Sequence, residues 1–410
     1  MSGSGSGSKR IYWLTEAFYP PIVGGQELFV ARVAQALSDR GHDVTVITRQ
    51  VAKRAAVSEK VGSVRVRRIE PAGILKGKGW RAVIPLLSYL WRLFWLLLSD
   101  AGQFDVIIVS GVKIIPLVAV PVCLVARKKI ILRAESFFEL HEAVSAESLE
   151  TMNAASGRGI GAMAAAIRRF MLRRAQYVVA ISAEIQAQLR KQGVAPARIA
   201  RIPNAVDTEK FRGVSAAEKL RLRGRLGLPA DKTVFVFAGR LSRAKGLPML
   251  VEAWPALIER HPQLYLVIVG SGKLSFDDCE DSLREFVSAH TLQDSVNFAG
   301  ESPRVYEYLQ AADIFIFPTE YEGFSLALVE ALSSAIVAVV TSVGAAPDLI
   351  RHGQNGFLFP PKDPQAMLAV LEEVLGQTQR WPAIAAAARD SVAPFDLNVV
   401  ADRYSELCVK

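Results

Sequence analysis

The sequence predicts an α/β protein built as two doubly wound parallel-sheet domains facing a central cleft. Short β-branched runs alternate with amphipathic helical patterns along the chain, the signature of repeated βα units. Its 410 residues fit two or three domains, and the break at Pro203-Asn204 separates two series of such units. With 51% hydrophobic and 22% charged residues, the composition is globular and excludes disordered, collagenous and coiled-coil classes.

The opening Met1–Ser8 repeats Gly and Ser, reads as a flexible linker with no secretory apolar core behind it, and is set aside. The first unit runs as a strand over Arg10–Thr15, a loop, then a helix over Gln26–Arg40 with Phe29, Val33 and Leu37 on one face. Gly41 ends that helix and Asp43–Thr48 returns as a strand. Further strands are expected at Val64–Ile69, Val106–Ser110, Ile130–Ala134 and Tyr177–Ile181. Ala143–Gly161, rich in Ala, Ser and Gly, reads as a mobile loop or a poorly formed helix. After Ile202–Asp207 a second series places strands at Thr233–Ala238, Tyr265–Gly270, Ser295–Ala299, Ile314–Pro318 and Ile336–Thr341. The expected domains are therefore 9–204 and 205–390, with a ligand at the carboxyl ends of the strands.

Forty-nine Lys and Arg against 40 Asp and Glu leave a net charge of +9, which favours anionic partners. The basic residues are dispersed without a recognition motif, so no nucleic-acid partner is expected. Cys123, Cys279 and Cys408 are too few and scattered for a disulfide framework or a zinc site and fit a reducing compartment. Ala82–Ser99 is the most apolar stretch, but Pro85 breaks it and Arg92 sits near its middle, which rules out a membrane span. Trp80, Arg81, Tyr89, Trp91, Arg92, Phe94 and Trp95 form a mixture of aromatics and cations suited to a membrane interface, or else a helix buried in a large domain.

Several motifs fail. The dinucleotide fingerprint is missing after the first strand, where Gly24-Gly25-Gln26-Glu27 stands. Gly270-Ser271-Gly272-Lys273 lacks the earlier Gly and the following Ser or Thr of a phosphate-binding P-loop. Asp277–Asp281 lacks metal-ligand spacing and reads as a solvated loop, and five separated histidines make no metal site.

Three features carry chemistry. Gly24-Gly25 opens the first long helix, where bare backbone and the helix dipole face an anion. Gly239–Gly246 lies at a strand end and carries Arg240, a planar fork, and Lys245, a point charge, both suited to a diphosphate. In Pro318–Ala331, Glu322 falls in the loop after a strand, Gly323-Phe324-Ser325 open a helix, and Glu330 follows in its early turns. One carboxylate there suits sugar hydroxyls and the other a ribose diol.

In this order and at these strand ends, the three features resemble the retaining GT-B glycosyltransferases of family four, the group 1 glycosyl transferases, which pair two Rossmann-like domains. The resemblance runs from Lys9 to Lys410 through Tyr19-Pro20-Pro21 with Gly24–Glu27, Arg40–Thr45, Ala180–Ser182, Pro203–Asp207, Gly239-Arg240 with Lys245-Gly246, Val269–Gly272, the Glu322/Glu330 pair and His352–Gly356. Residues 391–410, with a helix over Phe395–Leu407, resemble the segment that crosses back to the first domain.

The resemblance implies transfer of a sugar from a nucleoside diphosphate, UDP favoured over GDP, to a hydroxyl acceptor with retention at the anomeric carbon. Arg240 and Lys245 would bind the diphosphate and Glu322 would position the sugar; these three are the catalytic candidates. Glu330 would hold the ribose, with Gly24, Gly25, Gly239, Gly270, Gly323, Phe324 and Ser325 around the donor and the backbone from Phe298 to Gly300 at the base. Neither a metal nor another cofactor is implied, since fixed cations and helix termini neutralise the leaving group.

The sequence departs from the family where a His usually follows the strand at Ile130–Ala134: Glu135 or Ser136 takes its place and His141 is shifted, leaving these three as acceptor-side candidates. Ala335 and Val337 replace a usual Gly and Pro. The favoured acceptor is a membrane lipid or lipid-linked glycan, reached from the cytoplasmic side by peripheral contact with anionic membrane. Rival readings are a sugar-nucleotide epimerase of the same fold and a non-catalytic nucleotide-sugar-binding subunit.

Overall fold

The computed structural model describes residues 7–18, 25–50, 56–70, 80–135, 159–273 and 277–410, except the side chains of 80–83 and 159–162. The chain divides into two units, Met1–Ala205 with Leu397–Lys410, and Val206–Asp396.

The first unit holds β1 (Arg10–Thr15), α1 (Gly25–Asp39), β2 (Asp43–Arg49), β3 (Ser58–Val61), β4 (Val64–Ile69), α2 (Trp80–Ser99) and β5 (Val106–Ser110). It continues with α3 (Pro116–Ala126), β6 (Lys129–Ala134), α4 (Gly159–Arg174), β7 (Tyr177–Ala180), α5 (Ala183–Lys191) and β8 (Ile199–Arg201). The sheet order is β3-β4-β2-β1-β5-β6-β7-β8. Central strands such as Val106–Ser110 are buried throughout, because helices cover both faces of a parallel sheet. Side-chain alternation then assigns the faces. Ile11, Trp13, Val46, Ile108 and Ile131 share a core with Phe29, Val33 and Leu37 of α1 and Tyr404 of the C-terminal helix, Leu397–Val409. The crossovers through α2, α3 and α4 run in the opposite direction across the sheet from that through α1, so right-handedness puts those three helices on the other face.

The C-terminal helix is held on α1 by the segment between α1 and β2. Arg40 Nε donates to Asp402 at 2.6 Å and Arg40 Nη2 to the Asn398 carbonyl at 2.9 Å. His42 Nδ1 accepts from the Lys9 N–H at 3.2 Å, so the proton sits on Nε2, 2.8 Å from the Ser405 hydroxyl. Lys129 Nζ closes the other end by donating to the Cys408 carbonyl at 3.1 Å, a cation at a helix C-terminus.

The second unit holds α6 (Ala216–Leu226), β9 (Thr233–Ala238), α7 (Leu247–Arg260), β10 (Leu264–Val269), α8 (Glu280–Ala289), β11 (Val296–Gly300) and α9 (Val305–Ala311). After these come β12 (Ile314–Phe317), α10 (Leu326–Ser333), β13 (Val337–Thr341), α11 (Ala346–Leu349), β14 (Phe357–Phe359), α12 (Pro364–Leu375) and α13 (Trp381–Ser391). Its parallel sheet runs β11-β10-β9-β12-β13-β14. Chain order reverses between β9 and β12, which makes the ends of these neighbouring strands the topological switch point.

Three expectations need correction, and a fourth lies largely outside the described residues. The sheet of the first unit is not wholly parallel: β3 pairs antiparallel with β4 as a charged edge strand, whose Ser58-Glu59-Lys60 carries no apolar alternation to announce it. Residues 391–396 stay with the second unit instead of the returning helix, because the Val206 N–H donates to the Phe395 carbonyl and the Thr208 hydroxyl to Asp396. The stretch Ala143–Gly161 lies outside the described residues up to Arg158, and its last three residues begin α4. Pro85 does not break α2, which is continuous over Trp80–Ser99 with one side buried through Tyr89, Leu93 and Leu97 and the other exposed. Among the described residues no helix is long and apolar enough to cross a membrane.

Burial, with Arg40 and Lys9 nearby, holds the His42 imidazole below its ordinary value. The neutral ring is the folded form, so its contribution to stability is complete above the ordinary histidine value of about 6.5 and is lost as pH falls through the lower folded value. Thermal unfolding followed between pH 7 and pH 5 is expected to show a smaller loss in His42→Gln than in the wild type; equal losses would remove His42 from the titration.

Candidate active site at the β9/β12 switch point

Two loops leave the second sheet side by side. The one after β9 runs Gly239–Gly246 through a single 3-10 turn at Arg243–Lys245, and the one after β12 runs Pro318–Ser325 into α10. They are stitched together by backbone and side chain. The Glu320 N–H donates to the Ala244 carbonyl at 2.9 Å, the Thr319 hydroxyl reaches the same carbonyl at 3.2 Å, and Lys245 Nζ donates to Glu322 Oε2 at 2.6 Å. The other Glu322 oxygen accepts from the Gly323 N–H at 3.1 Å. Lys245 lies 5.3 Å from the centroid of the Phe317 ring, so the ammonium rests on an aromatic floor supplied by the end of β12. Side-chain exposures of 15% and 25% make the pair half-buried, where attraction is stronger than in open solvent.

The approach is set by backbone without side chains. Gly246 has φ +69°, and a Cβ there would lie 1.9 Å from the Pro318 carbonyl oxygen. Gly270 has φ +144°, and its Cβ would lie 1.8 Å from the Gly239 carbonyl oxygen. With the Gly239 N–H bonded to Val269 and the Gly270 N–H to Gly300, the ends of β9, β10 and β11 present glycine in adjacent rows. Beyond them Phe298 is half-buried, with the Arg284 guanidinium 4.5 Å from its ring centroid.

The remaining candidates in this unit fall around the two loops. Arg240 is exposed, and its guanidinium makes no hydrogen bond or ion pair among the described residues. Ser325 caps α10 by accepting the Leu328 N–H at 3.1 Å, and Phe324 is buried with its ring 5.9 Å from Phe395. Glu330, the fifth residue of α10, is buried. Ala335, two residues past that helix, takes φ +54°, the left-handed conformation that glycine adopts without strain.

In the first unit, Gly25 is the first residue of α1, and Glu135 follows β6. Glu135 accepts from the guanidinium of Arg133, which also donates to Asn204 and lies 4.0 Å from the Phe29 ring centroid. Arg133 is 1% exposed, so these partners offset a charge that would otherwise be costly to bury. Gly24, Ser136 and His141 lie outside the described residues, as does Tyr19-Pro20-Pro21.

One structural role escaped the sequence reading. The acidic run Asp277–Asp281 is not merely solvated: the Ala244 N–H donates to the Asp277 carboxylate at 2.9 Å and the Gly272 N–H to Glu280 at 3.0 Å. The Gly272 N–H, together with Arg284, holds the Glu280 carboxyl below its ordinary range. Asp277 thus braces the loop that carries Arg240 and Lys245, and Glu280 the loop that follows β10. Glu280 lies in the first turn of α8, where acidic residues favour the helix N-terminus, but no local signal marks the contact of Asp277 with Ala244.

Comparison with known proteins places this geometry in context. The model of glycosyl transferases group 1 matches residues 218–390, and that of glycosyltransferase family 4 matches residues 23–210. The D-inositol 3-phosphate glycosyltransferase 1 of Catenulispora acidiphila is 26% identical over 401 residues, 93% of this chain and 89% of that protein. An uncharacterized glycosyltransferase of Methanocaldococcus jannaschii is 32% identical over 164 residues, 40% of each chain. The lipopolysaccharide core biosynthesis mannosyltransferase LpsB of Rhizobium meliloti is 28% identical over 233 residues, 56% of this chain and 63% of that protein. The chain thus spans 40% and 63% of the length of these last two. Among solved structures, Anabaena HepE in complex with UDP has a TM-score of 0.74 at 21% identity, covering 97% of this chain and 99% of that one. The sucrose-phosphate synthase of Thermosynechococcus elongatus has a TM-score of 0.77 at 21% identity over 97% and 98%. At these identities the likeness establishes the GT-B fold.

Gly246→Ala is expected to destabilise the second unit by about 2–5 kcal/mol, the sum of a left-handed non-glycine residue and a forced backbone shift. Denaturant unfolding measures this; a loss within experimental error would show that the two loops do not depend on their close approach.

Proposed function

Because this chain belongs to the group 1 glycosyltransferases of GT-B fold, we propose that it transfers a sugar from a nucleoside diphosphate to a hydroxyl acceptor, with retention of configuration and without a metal. The single observation that carries the reading is the Lys245–Glu322 contact of 2.6 Å at the β9/β12 switch point, with Arg240 exposed on the same loop. Without ligand, Lys245 is held by Glu322. A donor diphosphate brings a more highly charged partner to Lys245 and leaves a Glu322 oxygen for the hydroxyls of the sugar. Arg240 adds a planar fork to the same phosphates. As the bond from the anomeric carbon to the phosphate oxygen breaks, the acceptor oxygen bonds to that carbon on the same face and its proton passes to the departing phosphate. Negative charge grows on the leaving group, so fixed cations bind the transition state more tightly than the donor.

Glu330 takes the ribose hydroxyls and the Phe298–Gly300 strand end the base. UDP is the favoured nucleotide: HepE, a neighbour in fold, binds UDP and UDP-glucose. The favoured acceptor is a lipid or lipid-linked glycan. The aromatic and cationic composition of α2 supports work at a membrane interface, and LpsB is named for a lipopolysaccharide core.

Lys245→Ala is expected to lower turnover at saturating donor about 100-fold, the loss typical of removing one preorganised charge donor; unchanged turnover with a raised KM would mean uniform binding and would end the leaving-group role. Glu330→Ala is expected to weaken binding of free UDP about tenfold by calorimetry, as for loss of a charged hydrogen bond. Equal affinity in the two proteins would reassign Glu330. In a thermal-shift panel of UDP, GDP and ADP, UDP should raise the unfolding temperature most.

A further inference from the structure

The face of the first sheet opposite α1 is covered by α2, α3 and α4, with α2 packed on α3 and α3 on α4. Their outward sides are apolar. On α2, Ile84, Leu87, Trp91 and Trp95 follow helical spacing, with Ile84 65% and Trp91 62% exposed. On α3 the outward residues are Leu117, Leu124 and Val125, the last 77% exposed. On α4 they are Met163, Ile167 and Phe170. Each helix therefore buries one side against the unit and turns a second apolar side outward, which soluble monomers avoid over large contiguous areas.

Charge identifies the occupant. None of the three helices contains Asp or Glu, whereas α2 carries the exposed Arg92 and α4 ends on the exposed Arg173 and Arg174. The ends of α3 are flanked by exposed Lys113 and Arg127. Arg92 pairs with Glu70 of the neighbouring strand end at 3.3 Å, and the Arg174 guanidinium lies 5.1 Å from the Phe170 ring centroid. A second copy of the chain fits this surface poorly, since a two-fold contact would set these cations against their own duplicates with no acid on the three helices to meet them.

We propose that the outer faces of α2, α3 and α4 form one platform that docks on the interface of an anionic lipid bilayer, aromatics and aliphatics entering the acyl boundary and the surrounding arginines meeting lipid phosphates. The proposal rests on the reading that the enzyme works at a membrane surface and extends it from one helix to a three-helix surface. It predicts orientation as well as affinity, because three helices fix a plane where one fixes only a line.

The test is flotation of the full chain with vesicles of phosphatidylcholine alone and of phosphatidylcholine mixed with phosphatidylglycerol. Binding is expected only to the anionic vesicles and should weaken as salt rises. Trp91→Ser with Trp95→Ser should lower the partition about tenfold, and Val125→Ser with Phe170→Ser about threefold or more, as expected for buried apolar area withdrawn from lipid. Both variants should keep the wild-type unfolding temperature and its shift with UDP. If the tryptophan variant does not fold, Ile84→Ser with Leu87→Ser tests the same face. Binding untouched by the α3 and α4 substitutions would overturn the platform, as would a dimer by light scattering that ignores vesicles and dissociates in these variants. Turnover of a water-soluble acceptor only, with vesicle binding intact, would end the lipid-acceptor reading and leave the platform standing. Turnover of a lipid acceptor by a protein that never binds vesicles would do the reverse.

Discussion

The ion pair between Lys245 and Glu322 ties together the two loops that leave the second sheet after β9 and β12. It forms where the order of a parallel sheet reverses, so loops whose paired residues lie 77 positions apart in sequence leave the sheet as neighbours. In open solvent such a pair contributes little, about 0–1 kcal/mol. Its importance here is positional. The pair is half-buried above Phe317, the backbones beneath it are bonded through Ala244 and Glu320, and Asp277 steadies the lysine loop from behind. A cation and a carboxylate are thus held side by side in the loops after β9 and β12.

The first unit solves a different problem. Its last helix arrives from the far end of the chain, and apolar packing of Tyr404 and Leu407 on Trp13 and Phe29 gives it a place to bury a face. Packing alone is non-directional. Arg40 and His42 supply direction through bonds to Asp402, Asn398 and Ser405, and Lys129 fixes the terminal carbonyls. Near the same core, Arg133 is buried with Glu135 and Asn204 as partners, so Glu135 has a charged neighbour that orients it. An acceptor-side role for Glu135 would use that orientation.

Much of this is legible in the sequence. Alternating strands and helices, the central β-strands and the placing of Arg240, Lys245 and Glu322 in loops after apolar runs follow from periodicity, whereas only the sheet order shows that those loops leave neighbouring strands. The departures have physical causes. β8 and β14 are three residues each, too short for a pattern, and β3 is polar because it forms an edge. The brace from Asp277 and Glu280 is a tertiary contact to backbone N–H groups, which no local pattern encodes. For α2 the sequence left two readings, interfacial or buried, because tryptophan and leucine suit either. Only tertiary packing shows that Tyr89, Leu93 and Leu97 turn inward while Trp91 and Trp95 turn outward.

The claim at the centre of this account is that the donor is held by strand-end backbone and fixed cations of the second unit. Hydrogen exchange of the full chain with and without UDP tests it most directly, since amides that meet or are ordered by the nucleotide exchange more slowly. The account predicts that, within the second unit, protection concentrates in peptides containing residues 239–246, 270–272, 298–300 and 322–330. Protection absent from these segments while UDP binds, or concentrated instead on α12 and α13, would contradict it.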